Sequence, residues 1–280
     1  MEITAQMVSQ LREQTGVGMM ECKKALVECD GDLDKALDLL RVRGQAGAEK
    51  RAGRATSEGV AAVASDGKRA AIVELCCETD FVARNEEFRH VAQTLADAAA
   101  AQGISDVESL MAAQTPESGS IRDLMDGLVS RLREHIVVRR CVVVDAQPSG
   151  FLSVYAHRVT NKIAVVLSVL GNASDEAQQE AARNAAMHIA AAKPRYLSRD
   201  EVPADVLEHE RQVLAEKTRL ERKPEAAIPK IVEGRLGKFY EQVCLVDQPF
   251  VRDTNKSVGQ LLSEAGLKPV SFHLVIVGQE

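Results

Sequence analysis

The feature that most restricts how this chain can fold is a unit that occurs twice. Two β-rich runs, Gly59 to Ser65 and Lys68 to Cys77, flank Asp66-Gly67, a dipeptide suited to a tight hairpin, and an Ala-rich helix follows from about Glu86 to Ala101. About ninety residues later the order returns as Phe151 to Arg158, a turn, Ile163 to Leu170, a polar break, and an Ala-rich helix ending near Lys193-Pro194. A duplicated hairpin-plus-helix unit predicts sheets covered by helices, and hence an α+β core.

The first fifty residues read differently. Thr4 can cap a helix carrying Met7, Val8 and Leu11 on one face, and Thr15-Gly16-Val17-Gly18 stops it. A second helix runs from Met19 to about Cys29, with Met19, Cys22, Leu26 and Cys29 at helical spacing, and Asp30-Gly31 ends it. Asp32 caps a third, with Leu33, Ala36, Leu37 and Leu40 as its stripe and Gly44 as its expected end. Residues 41–58 read as a basic connector. So small a core suits docking better than catalysis. Helical neighbours point about 100° apart, so Met19 and Met20 cannot both enter the stripe. One is expected at the surface, either incidentally or as a soft contact for a partner.

Further on, Ile121 to His135 reads as a helix and Val137 to Val144 as a strand. Residues 200–223 and a return helix from about Ala227 to Tyr240 are amphipathic, highly charged, and separated by Lys223-Pro224-Glu225, which predicts an antiparallel helical hairpin. A helix from Ser257 to Ala265 and a strand from Pro269 to Val277 close the chain.

Composition excludes several functions. Aromatics are 3% of residues with no Trp, and the net charge is −6, so neither base stacking nor phosphate tracking is supported and no direct nucleic-acid ligand is expected. No apolar run is long enough for a membrane span, and Met1-Glu2-Ile3-Thr4 lacks the layout of a signal peptide, so a cytoplasmic protein is expected. The cysteines are scattered without a CxxC pair, which predicts reduced thiols and no metal. Phosphate-loop, dinucleotide-binding, zinc-protease and nucleophile-elbow motifs are missing, so no cofactor, bound nucleotide or bond chemistry is expected.

The stretch from Leu11 to Leu26, with Gly16-Val17-Gly18-Met19-Met20-Glu21-Cys22-Lys23-Lys24 at its centre and Gly31-Asp32 after it, resembles the amino-terminal module of the bacterial elongation factor Ts family. Glu78-Thr79-Asp80-Phe81-Val82-Ala83-Arg84-Asn85 resembles the family's second signature. Ile231-Val232-Glu233-Gly234-Arg235 and Gln248-Pro249-Phe250-Val251 add two more in order. The resemblance implies a UBA-like three-helix docking module with linker over 1–54 and a core amino-terminal half over 55–148. It implies a core carboxy-terminal half over 149–196 and 234–252, a protruding coiled-coil hairpin over 197–233, and a carboxy-terminal module over 253–280. The implied partner is the GTPase elongation factor Tu, and the implied activity is guanine nucleotide exchange. Some members dimerise through the hairpin; a homodimer contact and a solvated arm stay open as alternatives here.

Residue by residue, the resemblance places partner contacts at Arg12, Met19, Met20, Thr79, Asp80, Phe81, Val82 and His157. Judged alone, Phe81 in its polar break folds back over the core. The resemblance implies instead that it projects and wedges between two helices of the GTPase. After His157 the family commonly has a Gly-rich turn, whereas this chain has Arg158-Val159-Thr160-Asn161-Lys162, in which Asn161 is the residue able to take positive φ. Two rivals stand beside this reading: an adaptor whose helical module binds some other protein, and an enzyme using Cys76 or Cys77, for which no base is identifiable.

Overall fold

A computed structural model describes residues 3–51, 53–115 and 119–279. The fold is α+β, and it divides into two compact units. One takes the chain up to Val143 with Ala156–Ala164 and the residues from Val275 on; the other takes Val144–Tyr155 and Val165–Leu274.

The first unit begins with α1 (Ala5–Thr15), α2 (Met19–Glu28) and α3 (Leu33–Arg51). Thr4 Oγ1 accepts from the Met7 N–H at 3.2 Å, and Gly16 ends α1 at φ 65°. Leu11, Cys22, Ala25, Leu26 and Ala36 form a closed core with no exposed surface. The third helix does not stop at Gly44. Its backbone continues to Arg51, through much of the expected connector, because glycine lowers helix propensity by only about 1 kcal/mol and good helix formers follow.

Next come β1 (Glu58–Ser65), β2 (Arg69–Cys77), α4 (Asp80–Ala83), α5 (Glu86–Gln102), α6 (Val107–Ala112), the paired two-residue strands β3 (Gln114–Thr115) and β4 (Gly119–Ser120), α7 (Ile121–Leu132) and β5 (Val137–Asp145). The sheet order is β1-β2-β5, with β1 antiparallel to β2 and Glu58 opposite Cys77. Asp66 makes the hairpin turn by accepting from the Lys68 and Arg69 N–H groups at 2.8 and 2.7 Å. Val73, Leu75 and Cys77 share one core with Phe88, Val91 and Leu95 of α5, whose Ala92, Ala96 and Ala99 let helix and sheet approach closely.

The opposite face of β2 carries Glu74, fully buried. Arg140 Nε donates to its Oε2 at 2.6 Å, the Gly278 N–H donates to its Oε1 at 2.9 Å, and the Cys76 thiol donates to Oε1 at 3.4 Å. Arg140 also donates to the Ile276 carbonyl at 3.1 Å, so one guanidinium ties β5 and the last residues to the same carboxylate.

The second unit holds β6 (Gly150–Ala156), β7 (Ile163–Leu170), α8 (Glu176–Ala192), α9 (Ala204–Leu220), α10 (Ile228–Val243), the short pair β8 (Pro249–Phe250) and β9 (Asp253–Ser257), α11 (Val258–Glu264) and β10 (Lys268–Ile276). Its sheet order is β10-β7-β6. The turn between β6 and β7 groups with the first unit, as does the chain end. Helices α9 and α10 lie against each other, with Thr218 buried between them and Arg235 Nη1 donating to its Oγ1 at 3.0 Å. Pro229 sits in the first turn of α10, where its missing N–H costs nothing. His188 of α8 bridges to Gln248 Oε1 at 2.9 Å and accepts from the Val251 N–H at 3.2 Å, and burial pushes its pKa down toward the neutral form that this pairing needs.

Replacing Glu74 by alanine leaves the Gly278 N–H without its acceptor and the Arg140 guanidinium without its carboxylate. The expected cost is about 3 kcal/mol in urea unfolding, with faster amide exchange at Gly278. A change under about 0.5 kcal/mol would contradict a structural role for the carboxylate.

Candidate functional site

Strand β2 is buried through Cys77, and four residues later the chain presents an apolar side chain to water. Phe81 is 83% exposed, so it does not fold back over the core. The reason is local. Thr79 caps α4, its Oγ1 accepting from the Val82 N–H at 3.4 Å, and Asn85 caps α5, its Oδ1 accepting from the Glu87 and Phe88 N–H groups at 2.9 and 3.2 Å. Between these caps there is room for a single turn of helix. Ala83 is buried and Val82 packs on the core, so Phe81, about 100° away from Val82, faces out. Asp80 beside it is half-buried and paired with Arg84 at 3.0 Å.

A second segment holds this turn from outside. Helix α7 ends at Arg133, which takes the left-handed conformation at φ 60°, and the next residues run back toward β2. Glu134 Oε2 accepts from the Glu78 and Thr79 N–H groups at 2.9 and 3.0 Å, and its Oε1 accepts from the Thr79 hydroxyl. Glu78 returns the contact by accepting from the His135 N–H at 2.7 Å and from Arg54 at 3.2 Å. The His135 N–H, followed by the Arg54 guanidinium, holds the Glu78 carboxyl below the usual carboxylate range. Nothing in the local pattern marks Glu134 or His135 as partners of residues 55 to 57 positions away.

The same turn reaches the three-helix module. Arg133 Nη2 lies 2.6 Å from Glu21 Oε2, in the first turn of α2 next to Met20. Met19 and Met20 are both exposed, at 49% and 67%, rather than only one of them. They open α2, ahead of the stripe formed by Cys22, Ala25 and Leu26, so neither reaches it. Arg12 is exposed in the last turn of α1.

His157 follows β6 and is half-buried. Asn161 does take positive φ, at 53°, which closes the turn without glycine. Its N–H donates to the His157 carbonyl at 2.7 Å, and its carbonyl accepts from the Ala61 N–H at 2.8 Å, fixing the turn to the free edge of β1. Lys162 pairs with Glu58 at 2.6 Å, and Glu58 lies opposite Cys77, at the strand end from which the Phe81 segment departs. Chains of contacts thus lead from Met19 and Met20 through Glu21 and Arg133 to the Thr79–Val82 turn, and from the turn after His157 through Lys162 and Glu58 to the end of β2.

The cysteines at this strand end are not poised for chemistry. Cys76 and Cys77 are buried, and burial pushes each thiol up to about 12. Among the described residues no group of three or more potential metal ligands occurs, and no helix is long and apolar enough to cross a membrane.

Comparison with known proteins adds an independent finding. The family described as elongation factor TS matches residues 78–279. Among curated relatives, elongation factor Ts of Streptomyces griseus is 44% identical over 278 residues, covering 98% of each chain. Those of Streptomyces coelicolor and Streptomyces avermitilis are each 43% identical over 277 residues, again covering 98% of each chain.

Because Glu78 has a lowered pKa in the folded chain, its contribution to stability is full above the usual glutamate value of 4.5 and is lost as pH falls through the lower folded value. The His135 amide resonance, read by NMR, should titrate with a midpoint below 4.5. A midpoint at or above that value would show that the carboxylate is not held as described.

Proposed function

The chain belongs to the elongation factor Ts family, and on that premise we propose that it is a guanine nucleotide exchange factor. It binds elongation factor Tu carrying GDP, disturbs the Mg²⁺ and phosphate region of that GTPase, and promotes GDP release during translation elongation. The observation that carries this reading is Phe81, a large apolar side chain held 83% exposed on a turn capped at both ends. Leaving a phenylalanine in water forgoes about 1.5–3 kcal/mol, which becomes available when a partner covers it.

In this mechanism the UBA-like three-helix module docks through Arg12, Met19 and Met20. Phe81 enters between two helices of the GTPase as an apolar wedge, with Thr79 and Val82 fixing its turn, Asp80 supplying a polar contact, and His157 approaching from the β6–β7 turn. A GTPase holds GDP through backbone N–H groups at a helix start and through Mg²⁺, so a small displacement of either loosens the nucleotide. By linkage, a factor that weakens GDP binding is itself weakened by GDP, and nucleotide entry ejects it. Binding energy performs the exchange; no bond is made or broken and no cofactor is needed.

The same reading assigns 1–54 to the docking module and its linker, and 55–148 and 149–196 with 234–252 to the two core halves. It assigns 197–233 to a protruding coiled-coil hairpin, open to use as a homodimer contact, and 253–280 to a carboxy-terminal module. It places the protein in the cytoplasm, with no nucleic acid or membrane as direct ligand.

Release of a fluorescent GDP analogue from elongation factor Tu tests this. The wild-type chain should accelerate release, and Phe81→Ala should slow the catalysed rate about 10- to 100-fold, the factor equivalent to burying a phenylalanine. No acceleration by the wild type, with the GTPase confirmed active, would return the chain to the adaptor reading.

A further inference from the structure

We infer that the Arg133–Glu21 ion pair is a positioning contact that sets the three-helix module so that its Met19–Met20 face and Phe81 meet one partner surface together; this rests on the exchange-factor reading above. The residues 133–135 serve both sides of that arrangement in succession. Arg133 reaches the module, Glu134 holds the Thr79 cap, and His135 anchors Glu78. Because these three are adjacent in the chain, the first turn of α2 and the Phe81 turn are registered through a few bonds of backbone.

While Arg133 meets the start of α2, it is α3 that lies against α7 along the rest of the seam. A groove of 330 Å³ opens along it, lined by Leu37 and Leu40 on one side and Asp126 and Val129 on the other. Polar side chains also cross it. Arg41 pairs with Asp123 at 2.9 Å, with both side chains more than half exposed. Arg131 lies across the turn at Gly16, where an added Cβ would stand 2.2 Å from Arg131 Cδ. Arg133 is the contact nearest the proposed docking face: its Nη2 lies 3.5 Å from where a Cβ on Gly18 would stand, and Gly18 caps α2 just before Met19. An arginine at a helix amino terminus opposes the helix dipole, so Glu21 is what makes this placement favourable, being attracted both to Arg133 and to the helix end.

The consequence for binding is an effective-concentration effect. When two contact points sit on one rigid body, engaging the first places the second, and the second costs little further ordering. Without the register, the module and the Phe81 turn engage as separate events. An exposed ion pair contributes modestly to folding, so its loss should leave the unfolding midpoint near that of the wild type while still altering the register.

The test is GDP-analogue release from elongation factor Tu, measured against exchange-factor concentration for the wild type, Glu21→Gln, Arg133→Gln, the double variant and Arg133→Lys. Each glutamine variant should raise the half-saturating concentration about threefold to fivefold. The double variant should do no worse than either single, since one interaction is removed in each case, and Arg133→Lys should stay within about twofold of the wild type. In a chain also carrying Met19→Ala and Met20→Ala, Arg133→Gln should add less than about 1.5-fold, because the face it positions is gone; a contact that only stabilised the fold would not lose its effect there. Single variants indistinguishable from a fully active wild type would overturn the inference and leave the exchange reading intact. So would losses that multiply in the double variant. A wild type that fails to accelerate release would overturn both.

Discussion

The first unit is organised by the constraint that β2 is buried on both faces and still carries a carboxylate. Every residue from Ala70 to Cys77 is shielded from water, so Glu74 has to be satisfied by groups brought to it. Arg140 from β5 and the Gly278 N–H from the chain end supply them. A carboxylate in this position specifies which strand lies beside β2 and where the carboxyl end lies, as apolar packing alone would not. Because β2 is fixed along its length, the four residues after it leave from a defined point, and that point is where Phe81 is presented.

The exposed phenylalanine is a local conflict with the hydrophobic rule, and the surrounding bonds show how the conflict is sustained. Thr79 and Asn85 cap successive helices so closely that the turn between them has no freedom to roll Phe81 inward. Glu134 and Glu78 exchange hydrogen bonds across the base of the turn, each accepting from the backbone next to the other. The turn is thus ordered before any partner arrives, which lowers the entropy lost when the side chain is covered.

Much of the fold was legible because its signals are local. Thr4, Asp32 and Ser257 each accept a hydrogen bond from a backbone N–H three residues on, so a short string of sequence contains both donor and acceptor. Asp66-Gly67 makes the hairpin that the dipeptide suggests. Gly44 misled, since one glycine weakens a helix without ending it, and α3 continues to Arg51. Phe81 misled in the other direction: burial preference favours the core, but the caps decide its direction. The turn at Arg133-Glu134-His135 was illegible for a further reason. Its partners lie on segments far away in the chain, and no periodicity links them. Neither did composition reveal that Glu74, inside an apolar run, would find Arg140 66 residues later.

The central claim is that this chain and GDP compete through the structure of one GTPase, and thermodynamic linkage makes that claim measurable without kinetics. The affinity of the chain for elongation factor Tu is measured twice by calorimetry, once with nucleotide-free GTPase and once with GDP and Mg²⁺ saturating. The account predicts weaker binding in the second case, by the same factor by which the chain weakens GDP. Equal affinities in the two states would contradict it, because a partner that does not distinguish the loaded from the empty GTPase cannot drive nucleotide release.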